Sequence, residues 1–463
     1  MIIELADFSR SRHGLFFHYR VGEHRFNNSF WYDDCDFDDL ERRYGLPFMR
    51  RVYFHVAAFE MNKLSSVNAD EISFGPFNDL ADAQFRDLWT QIVHGVWAQW
   101  RYENGLPNWA PPTFAFEDTA STDLPTARIA PGDTRYLAFC GGGKDSAVAQ
   151  SLLSDANVHS DSFVYAHSVY GRAEKQFELI DRLLSQMPDG VQRRLTVCDD
   201  FLEAPASLLR EEFGVKSFTA AETPASIFAA VPIALQHGYE YLVLGHEKSA
   251  DKGNLIWGDT EEDVNHQWGK STEAESILAD YLRDNLVPNL HFFSILKPIH
   301  DVVIFGMLKG LSDPIIEATH SCNIDKPWCK RCAKCVYVWL NYLAYLDDEL
   351  VARIFGENLF DVAENQDLIR ELIGLTEATP FECIGESNES LLALALCVAR
   401  GREGRFLPSL RDHVPADLSS IVAQYTSVDM SYANLPEDLK GVMDNLVRKA
   451  AEIRSWISST LSA

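Results

Sequence analysis

The chain has 463 residues, 46% of them hydrophobic and 12% aromatic, which allows about two or three domains with a sizeable core and excludes global disorder. With 41 Lys and Arg against 68 Asp and Glu, the net charge is -27. That surface repels phosphodiester backbones and disfavours an extensive nucleic-acid interface, leaving room only for a local basic groove. No stretch approaches the roughly 18 apolar residues needed to cross a bilayer. The N-terminal MIIELADFSRSRHG has no apolar core of signal-peptide length. A cytoplasmic protein with no membrane partner is expected; oligomeric state is not legible. Nine cysteines in so long a chain do not suggest a disulfide framework, and four fall within 14 residues, which points to a metal site.

Residues 1–130 read as an N-terminal α+β region. Segments 14–20 and 51–56 alternate apolar and polar side chains and predict strands. Phe85, Leu88, Trp89, Ile92, Val93, Val96 and Trp97 recur at helical spacing and predict a helix over Asp79–Tyr102. Segments 108–113 and 119–133, rich in Pro, Thr and Asp, read as linker. From Thr134 strands and helices alternate. Strands are predicted at Tyr136–Cys140, Ser162–Ala166, Leu195–Val197 and Tyr241–Leu244, helices at Lys144–Leu153 and Pro224–His237. This α/β pattern implies a parallel sheet covered on both faces, within a domain spanning 131–345. Residues 346–463 read as a helical C-terminal region. Its last helix carries one apolar stripe from Leu439 through Val442, Leu446, Val447, Ala450, Ile453, Trp456 and Ile457, expected to be core.

The strongest chemical signal follows the strand at Tyr136. Gly141, Gly142 and Gly143 let backbone N–H groups converge on an anion at a helix start. Lys144 adds a full positive charge and Ser146 a hydroxyl donor, while Asp145 suits orienting the loop or holding Mg²⁺ with a nucleotide. Replacing Lys144 or Asp145 is expected to abolish that chemistry and leave melting nearly unchanged. The Walker pattern is absent. A second polar block follows the strand at Tyr241: Gly245, His246 and Glu247, then Asn265, His266, Gln267, Lys270 and Ser271, a donor set suited to phosphates or carboxylates. Cys322, Cys329, Cys332 and Cys335 can wrap one tetrahedral ion. Zn²⁺, an iron–sulfur cluster and metal-free thiols all remain open, and Lys326, Lys330, Arg331 and Lys334 would offset thiolate charge.

The Gly141–Ser146 loop resembles the S-G-G-x-D-S signature of PP-loop ATP pyrophosphatases, with Gly141 where the first Ser usually stands. The resemblance implies a five-stranded parallel sheet of the adenine-nucleotide alpha-hydrolase (PP-loop, HUP) type. It also implies adenylation of a carboxylate, amide or carbonyl oxygen with release of pyrophosphate, and removal of one hydroxyl contact by Gly141. The Cys cluster is similar to the structural zinc site of 7-cyano-7-deazaguanine synthase, which makes an amide-forming, nitrile-forming or thiolation enzyme the rival reading. A nucleotide-binding regulator without catalysis is a third, disfavoured by the intact Lys144-Asp145-Ser146 sequence.

A narrower resemblance runs along most of the chain. It is carried by residues 97–106, ending Arg-Tyr-Glu-Asn-Gly-Leu, by the glycine loop, by the Gly245 and Val264–Gln267 blocks, by Ser321–Cys335, and by Pro380–Gly385. These resemble the UDP-N-acetylmuramoyl-L-alanyl-L-glutamate epimerase (MurL) family. The resemblance implies an isomerase of peptidoglycan synthesis, dependent on ATP and Mg²⁺, whose partner is a UDP-linked muramoyl dipeptide substrate. The terminal L-Glu of UDP-MurNAc-L-Ala-L-Glu would become D-Glu through an acyl-adenylate, releasing AMP and pyrophosphate, with structural Zn²⁺ on the four cysteines. Cys383 is the candidate proton carrier, and a small buried residue is its competing reading. His246, His266 and Glu247 are alternative bases.

Overall fold

Strict alternation builds the first strands: Leu15, Phe17, Tyr19 and Val21 are buried while His18 and Arg20 face solvent. In the computed structural model, which describes residues 1–117, 124–188, 190–258 and 260–462, β1 (Ile2–Arg10), β2 (Gly14–Val21) and β3 (His24–Tyr32) form an antiparallel meander. The second predicted strand is not one. Segment 51–56 lies inside a helix, Leu46–Met61, which Pro47 starts at its first turn. Every residue from Arg51 to Met61 is buried, so the helix has no polar face to reveal its period. Its buried polar residues find partners inside the fold: Arg51 Nη1 donates to the Pro125 carbonyl (2.8 Å), though its Nε has none, and His55 bonds the Arg51 carbonyl (2.6 Å) and the Tyr281 hydroxyl (2.8 Å).

Two short strands, β4 (Glu71–Ser73) and β5 (Thr113–Phe114), finish the N-terminal edge. The helix predicted over Asp79–Tyr102 is two, Ala83–Val96 and Ala98–Asn104, divided at Trp97. Of the linker expected at 119–133, residues 119–123 lie outside the described residues. The next strands are β6 (Tyr136–Phe139), β7 (Ser160–His167), β8 (Gln192–Asp199) and β9 (Tyr241–Leu244). A separate hairpin pairs β10 (Leu255–Trp257) with β11 (Glu262–Val264). The last strand, β12 (His291–Ser294), was not anticipated: it is four residues inside a longer apolar run, which periodicity cannot distinguish from helix.

One ten-stranded sheet results, in the order β12-β9-β6-β7-β8-β3-β2-β1-β4-β5. The five strands from β12 to β8 are mutually parallel. The antiparallel β8–β3 pairing joins them to the N-terminal strands. Leu137, Phe163, Leu242 and Phe292 bury one face against helices Leu46–Met61 and Glu222–His237. Ala138, Val164, Val243 and Phe293 bury the other against Lys144–Asp155, Ala333–Tyr345 and the C-terminal helices. The final helix, Lys440–Leu461, buries Val442, Leu446, Ala450, Ile453 and Ile457 as the stripe predicts, with Val447 at its exposed margin. Among the described residues, no helix is long and apolar enough to cross a membrane.

Candidate active site

The chain leaves β6 toward β7 on one side, while β9 flanks β6 on the other. The carboxyl ends of these two strands thus form a topological switch point, where open α/β sheets bind ligands. The glycine loop fits that place through its backbone. Gly142 has φ +83°, and a Cβ there would lie 2.0 Å from the His320 ring. The His320 N–H donates to the Gly142 carbonyl (2.9 Å), and the Gly141 N–H donates to Ser146 Oγ (3.1 Å). A Cβ on Gly245 would meet the Asp145 carbonyl at 3.3 Å, so the two strand-end loops are nearly in contact. Between them lies a cavity of about 260 Å³ lined by Gly141, Gly143, Asp145, Ser146, Gly245, His246, Glu247, Lys270, His320, Asn323, Lys326 and Lys334.

Lys144 does not hang free in this cavity. Its buried Nζ donates to Asp145 Oδ1 (2.5 Å) and Asp301 Oδ1 (2.7 Å), and Tyr337 donates to the other Asp301 oxygen (2.7 Å). Burial raises Asp145 to about 6, with Glu247 and Asp301 reinforcing the shift against the pull of Lys144. Burial works on Glu247 in the same direction, but Lys144, Lys270 and Lys297 outweigh it and hold Glu247 below the usual range. Asp145 and Glu247 both open on the cavity, where their oxygens are of the kind that a divalent cation takes. Burial, aided by Lys270 and Lys297, pushes His246 well below the ordinary imidazole value, so it stays neutral and is a poor base.

A second cleft of about 370 Å³ adjoins the first, and Lys270 and Asn323 line both. Its walls include Tyr170, Glu222, His266, Gln267, Glu382 and Cys383. Cys383 shares this cleft with His266 and Lys270. Burial alone would raise its thiol, but the charges of Lys270 and Lys334 and the neighbouring His266 ring prevail and hold it well below the usual thiol range. A half-buried thiol, in surroundings that favour its ionised form, therefore faces a cleft that opens beside the glycine loop.

The remaining candidates divide. Gln267 Nε2 donates to the Ile384 carbonyl (2.9 Å) and supports the Cys383 segment, while Lys270 reaches Gln267 Oε1 (3.4 Å). Asn265 spends its side chain on the Ala250 carbonyl (2.9 Å) and the Gln267 N–H (2.7 Å), and Ser271 caps helix Thr272–Tyr281 through the Ala274 N–H (3.1 Å). Asn265 and Ser271 line a neighbouring cavity, apart from the Cys383 wall. Asp301, Tyr337, His320 and Asn323 complete the site without having been singled out; Asp301 follows the unanticipated β12, and that strand was the signal for it.

The four cysteines converge. Their sulfurs all lie within 4.8 Å of one another, with Cys322 to Cys332 at 4.0 Å and Cys329 to Cys335 at 3.8 Å. Four thiolates at about 2.3 Å from a tetrahedral ion stand about 3.8 Å apart, so the set fits one Zn²⁺. The Ile324 and Asp325 N–H groups donate to Cys322 Sγ and the Cys335 N–H to Cys332 Sγ, which suits thiolate charge. Arg331 and Lys330 pair instead with Glu357, whereas Lys326 and Lys334 turn to the glycine-loop cavity.

Comparison with known proteins bears on this site. Residues 223–295 match the MurL N-terminal domain and residues 317–422 the MurL C-terminal domain. The chain is 28% identical over 357 residues to a UDP-N-acetyl-alpha-D-muramoyl-L-alanyl-L-glutamate epimerase of Micromonospora sp., covering 75% of each chain. Proteins of the same name from Salinispora tropica (28%, covering 69% of this chain and 67% of the relative) and Xanthomonas oryzae pv. oryzae (27%, 66% of each) are similar. No solved structure matches. The chain is thus similar to MurL proteins over these two segments and to the named epimerases over two thirds or more of its length. The two domain matches contain His266, Lys270, the four cysteines and Cys383, and stop short of the glycine loop.

Proposed function

We propose that the chain is an ATP-dependent epimerase of the PP-loop type. It inverts the terminal L-Glu of UDP-MurNAc-L-Ala-L-Glu for peptidoglycan synthesis. The observation that carries this reading is the junction of the two cavities at Lys270: one has the backbone of a phosphate loop, the other a thiolate base, in a chain similar to curated epimerases. The five parallel strands with the loop after β6 support the PP-loop assignment. The epimerase relatives favour this over the deazaguanine-synthase reading.

ATP enters the glycine-loop cavity, where loop N–H groups and the unpartnered ring of His320 face its phosphates and Lys144, held behind the loop by Asp145 and Asp301, adds its charge. Asp145 and Glu247, on the cavity wall, would hold Mg²⁺, which supplies charge neutralisation at the phosphates. The substrate carboxylate attacks the α-phosphorus and pyrophosphate leaves. The acyl-adenylate lacks the carboxylate charge, so loss of the α-hydrogen yields a delocalised enolate. Cys383 takes that proton, with Lys270 beside the developing negative oxygen. Proton return to the opposite face inverts the carbon, and water cleaves the adenylate to the free acid and AMP. ATP thus serves to acidify a carbon and not to drive a nearly balanced equilibrium. Cys322, Cys329, Cys332 and Cys335 would hold a structural Zn²⁺, which would tie down the segment that carries Asn323 and Lys334.

Running the reaction in D₂O tests this. Deuterium should enter the glutamate α-carbon of the D-product, only with ATP and Mg²⁺, and AMP should accumulate without ADP. Cys383→Ala should form AMP yet lose exchange. AMP formed on a different acid with no inversion would retire the epimerase and leave the adenylating loop. Metal analysis should find about one zinc per chain.

A further inference from the structure

Gln99 lies on helix Ala98–Asn104, in the N-terminal region and far in sequence from both motif blocks. Its side chain nevertheless reaches His266, one of the residues that line the Cys383 cleft. Gln99 Nε2 donates to Glu103 Oε1 (2.6 Å), and Gln99 Oε1 lies 2.6 Å from His266 Nδ1. The orientation of this amide is not arbitrary. An ionised carboxylate only accepts hydrogen bonds, so the amide nitrogen must face Glu103 and the amide oxygen must face His266. An amide oxygen also only accepts, so His266 Nδ1 must carry hydrogen. Nε2 is then the ring's free acceptor. Glu103 is itself fixed by the Ser217 hydroxyl, and the His266 N–H donates to Asn254 Oδ1 (3.0 Å). The residue is thus held at its backbone N–H and at Nδ1, which leaves Nε2 free.

We propose that Gln99 is a positioning residue. Locked by Glu103, it fixes the one tautomer of His266 that can take the proton from Cys383, and so keeps that thiol ready as the base. The inference rests on the reading of Cys383 given above and names the N-terminal region as part of the catalytic apparatus. Other charged or titratable groups facing Cys383 are Lys270, Lys334, Glu382 and Tyr170. Lys270 and Lys334 favour the thiolate by charge alone, but neither can accept its proton. Glu382 carries the wrong sign to stabilise it. Glu382 can accept a proton too but leaves no positive charge beside the sulfur; His266 both accepts it and becomes a cation, if its tautomer is the one Gln99 imposes.

The test follows Cys383 itself as well as turnover. The full-length protein is treated with iodoacetamide across a range of pH, and the Cys383 peptide is quantified by mass spectrometry beside steady-state inversion. In the unaltered protein, alkylation should have its midpoint below the ordinary thiol value of about 8.5. Gln99→Leu should raise that midpoint by about one unit and lower kcat by about tenfold to a hundredfold with KM little changed. The double exchange Gln99→Glu with Glu103→Gln keeps every donor facing an acceptor along the chain, and should restore both readouts. Should Gln99→Leu not fold, Glu103→Leu takes its place, because it releases the amide to rotate. Normal midpoint and kcat in the leucine variant would overturn the proposal, as would a double exchange as impaired as the leucine variant, which would mark a packing role. Failure of the underlying reading looks different: an ordinary midpoint in the unaltered protein, or full inversion by Cys383→Ala.

Discussion

Lys63 and Lys144 are both buried beside carboxylates, yet they stand at places with opposite tasks. Lys63 bonds Glu60 and Asp199, with His167 3.8 Å from each carboxylate. Asp199 is the register partner of Asn28, and Asn28 donates to Glu60 (2.7 Å). This group therefore bolts the antiparallel strands to the parallel ones at the β3–β8 seam. Lys144 bonds Asp145 and Asp301 in the same manner, but Asp145 and Glu247 form the wall of a cavity and the lysine opens a helix behind three glycines. The charge chemistry of the two groups is nearly the same. What separates structure from function is the free backbone and open volume beside the second.

The sharpest way to break this comparison is to remove each lysine. Lys144→Met should reduce AMP formation by about 10²–10³-fold or more, as loss of a preorganised cation at phosphate does. Lys63→Met should leave turnover per folded molecule unchanged. Lys63→Met strands two buried carboxylates and should cost roughly 3–5 kcal/mol in denaturant unfolding; Lys144→Met strands buried Asp301 beside a part-exposed Asp145 and should cost less. The sequence expectation that melting would be nearly unchanged at Lys144 gives way here, because the side chain is buried between two acids. Equal turnover losses in the two variants would erase the distinction.

Asp301→Asn comes next in size. It leaves the cavity lining intact while removing one charged partner of Lys144, a bond of about 1.5–3 kcal/mol. ATP turnover should fall by about tenfold to a hundredfold. Turnover unchanged in this variant would mean that Asp145 alone places the lysine.

These partners also show what the sequence could carry. The glycine loop, its helix and the four cysteines are local in sequence, and their spacing is their signal. Asp301, Tyr337 and His320 reach the loop through tertiary packing, from segments with no turn or spacing signature of their own. The same limit explains the misread helix at 51–56, since a helix buried on all sides shows no period, and the continuous sheet, since strand order is not written in any one strand. Cys383 was visible only as a thiol in a polar segment; its partners His266 and Lys270 lie over a hundred residues away in sequence.

Acid titration sharpens the comparison further, because the two groups carry opposite signs. Glu60 is held at about 2: burial alone would raise it, but Lys63 and His167 prevail. Its contribution to stability is therefore complete above the unfolded value of about 4.3 and is lost as pH falls toward about 2. Asp145, raised to about 6, holds its proton more tightly when folded than unfolded. Its contribution favours the fold below about 3.9 and is lost as pH rises through about 6. Denaturation midpoints against pH should thus show a flattened acid limb in Glu60→Gln. Asp145→Asn should show a smaller decline between about pH 4 and 6. Parallel curves for all three proteins would remove the distinction.

The smallest effect concerns His320, and it asks whether the open group is built for a ligand. The His320 ring lies buried over Gly142, and neither ring nitrogen makes a hydrogen bond of good geometry; the Ala318 carbonyl is near without meeting it. Burial, with Lys326 adding to it, lowers the ring to about 4, so it is neutral at physiological pH. A neutral imidazole still has one donor and one acceptor, and leaving such groups buried and unpaired costs about 1–3 kcal/mol. His320→Leu should therefore be neutral or stabilising by about 1 kcal/mol in the nucleotide-free protein. Nucleotide should reverse the order. If the ring N–H donates to a phosphate oxygen, the leucine variant should bind ATP about tenfold more weakly, equivalent to about 1.4 kcal/mol. Thermal unfolding with and without ATP and Mg²⁺ reads both quantities in one titration, since ligand that binds only the folded form raises the transition in proportion to its affinity. A variant destabilised without nucleotide and unaltered in its ATP-induced shift would make His320 a packing residue of the loop. The cavity would then owe its affinity to backbone N–H groups and Lys144 alone.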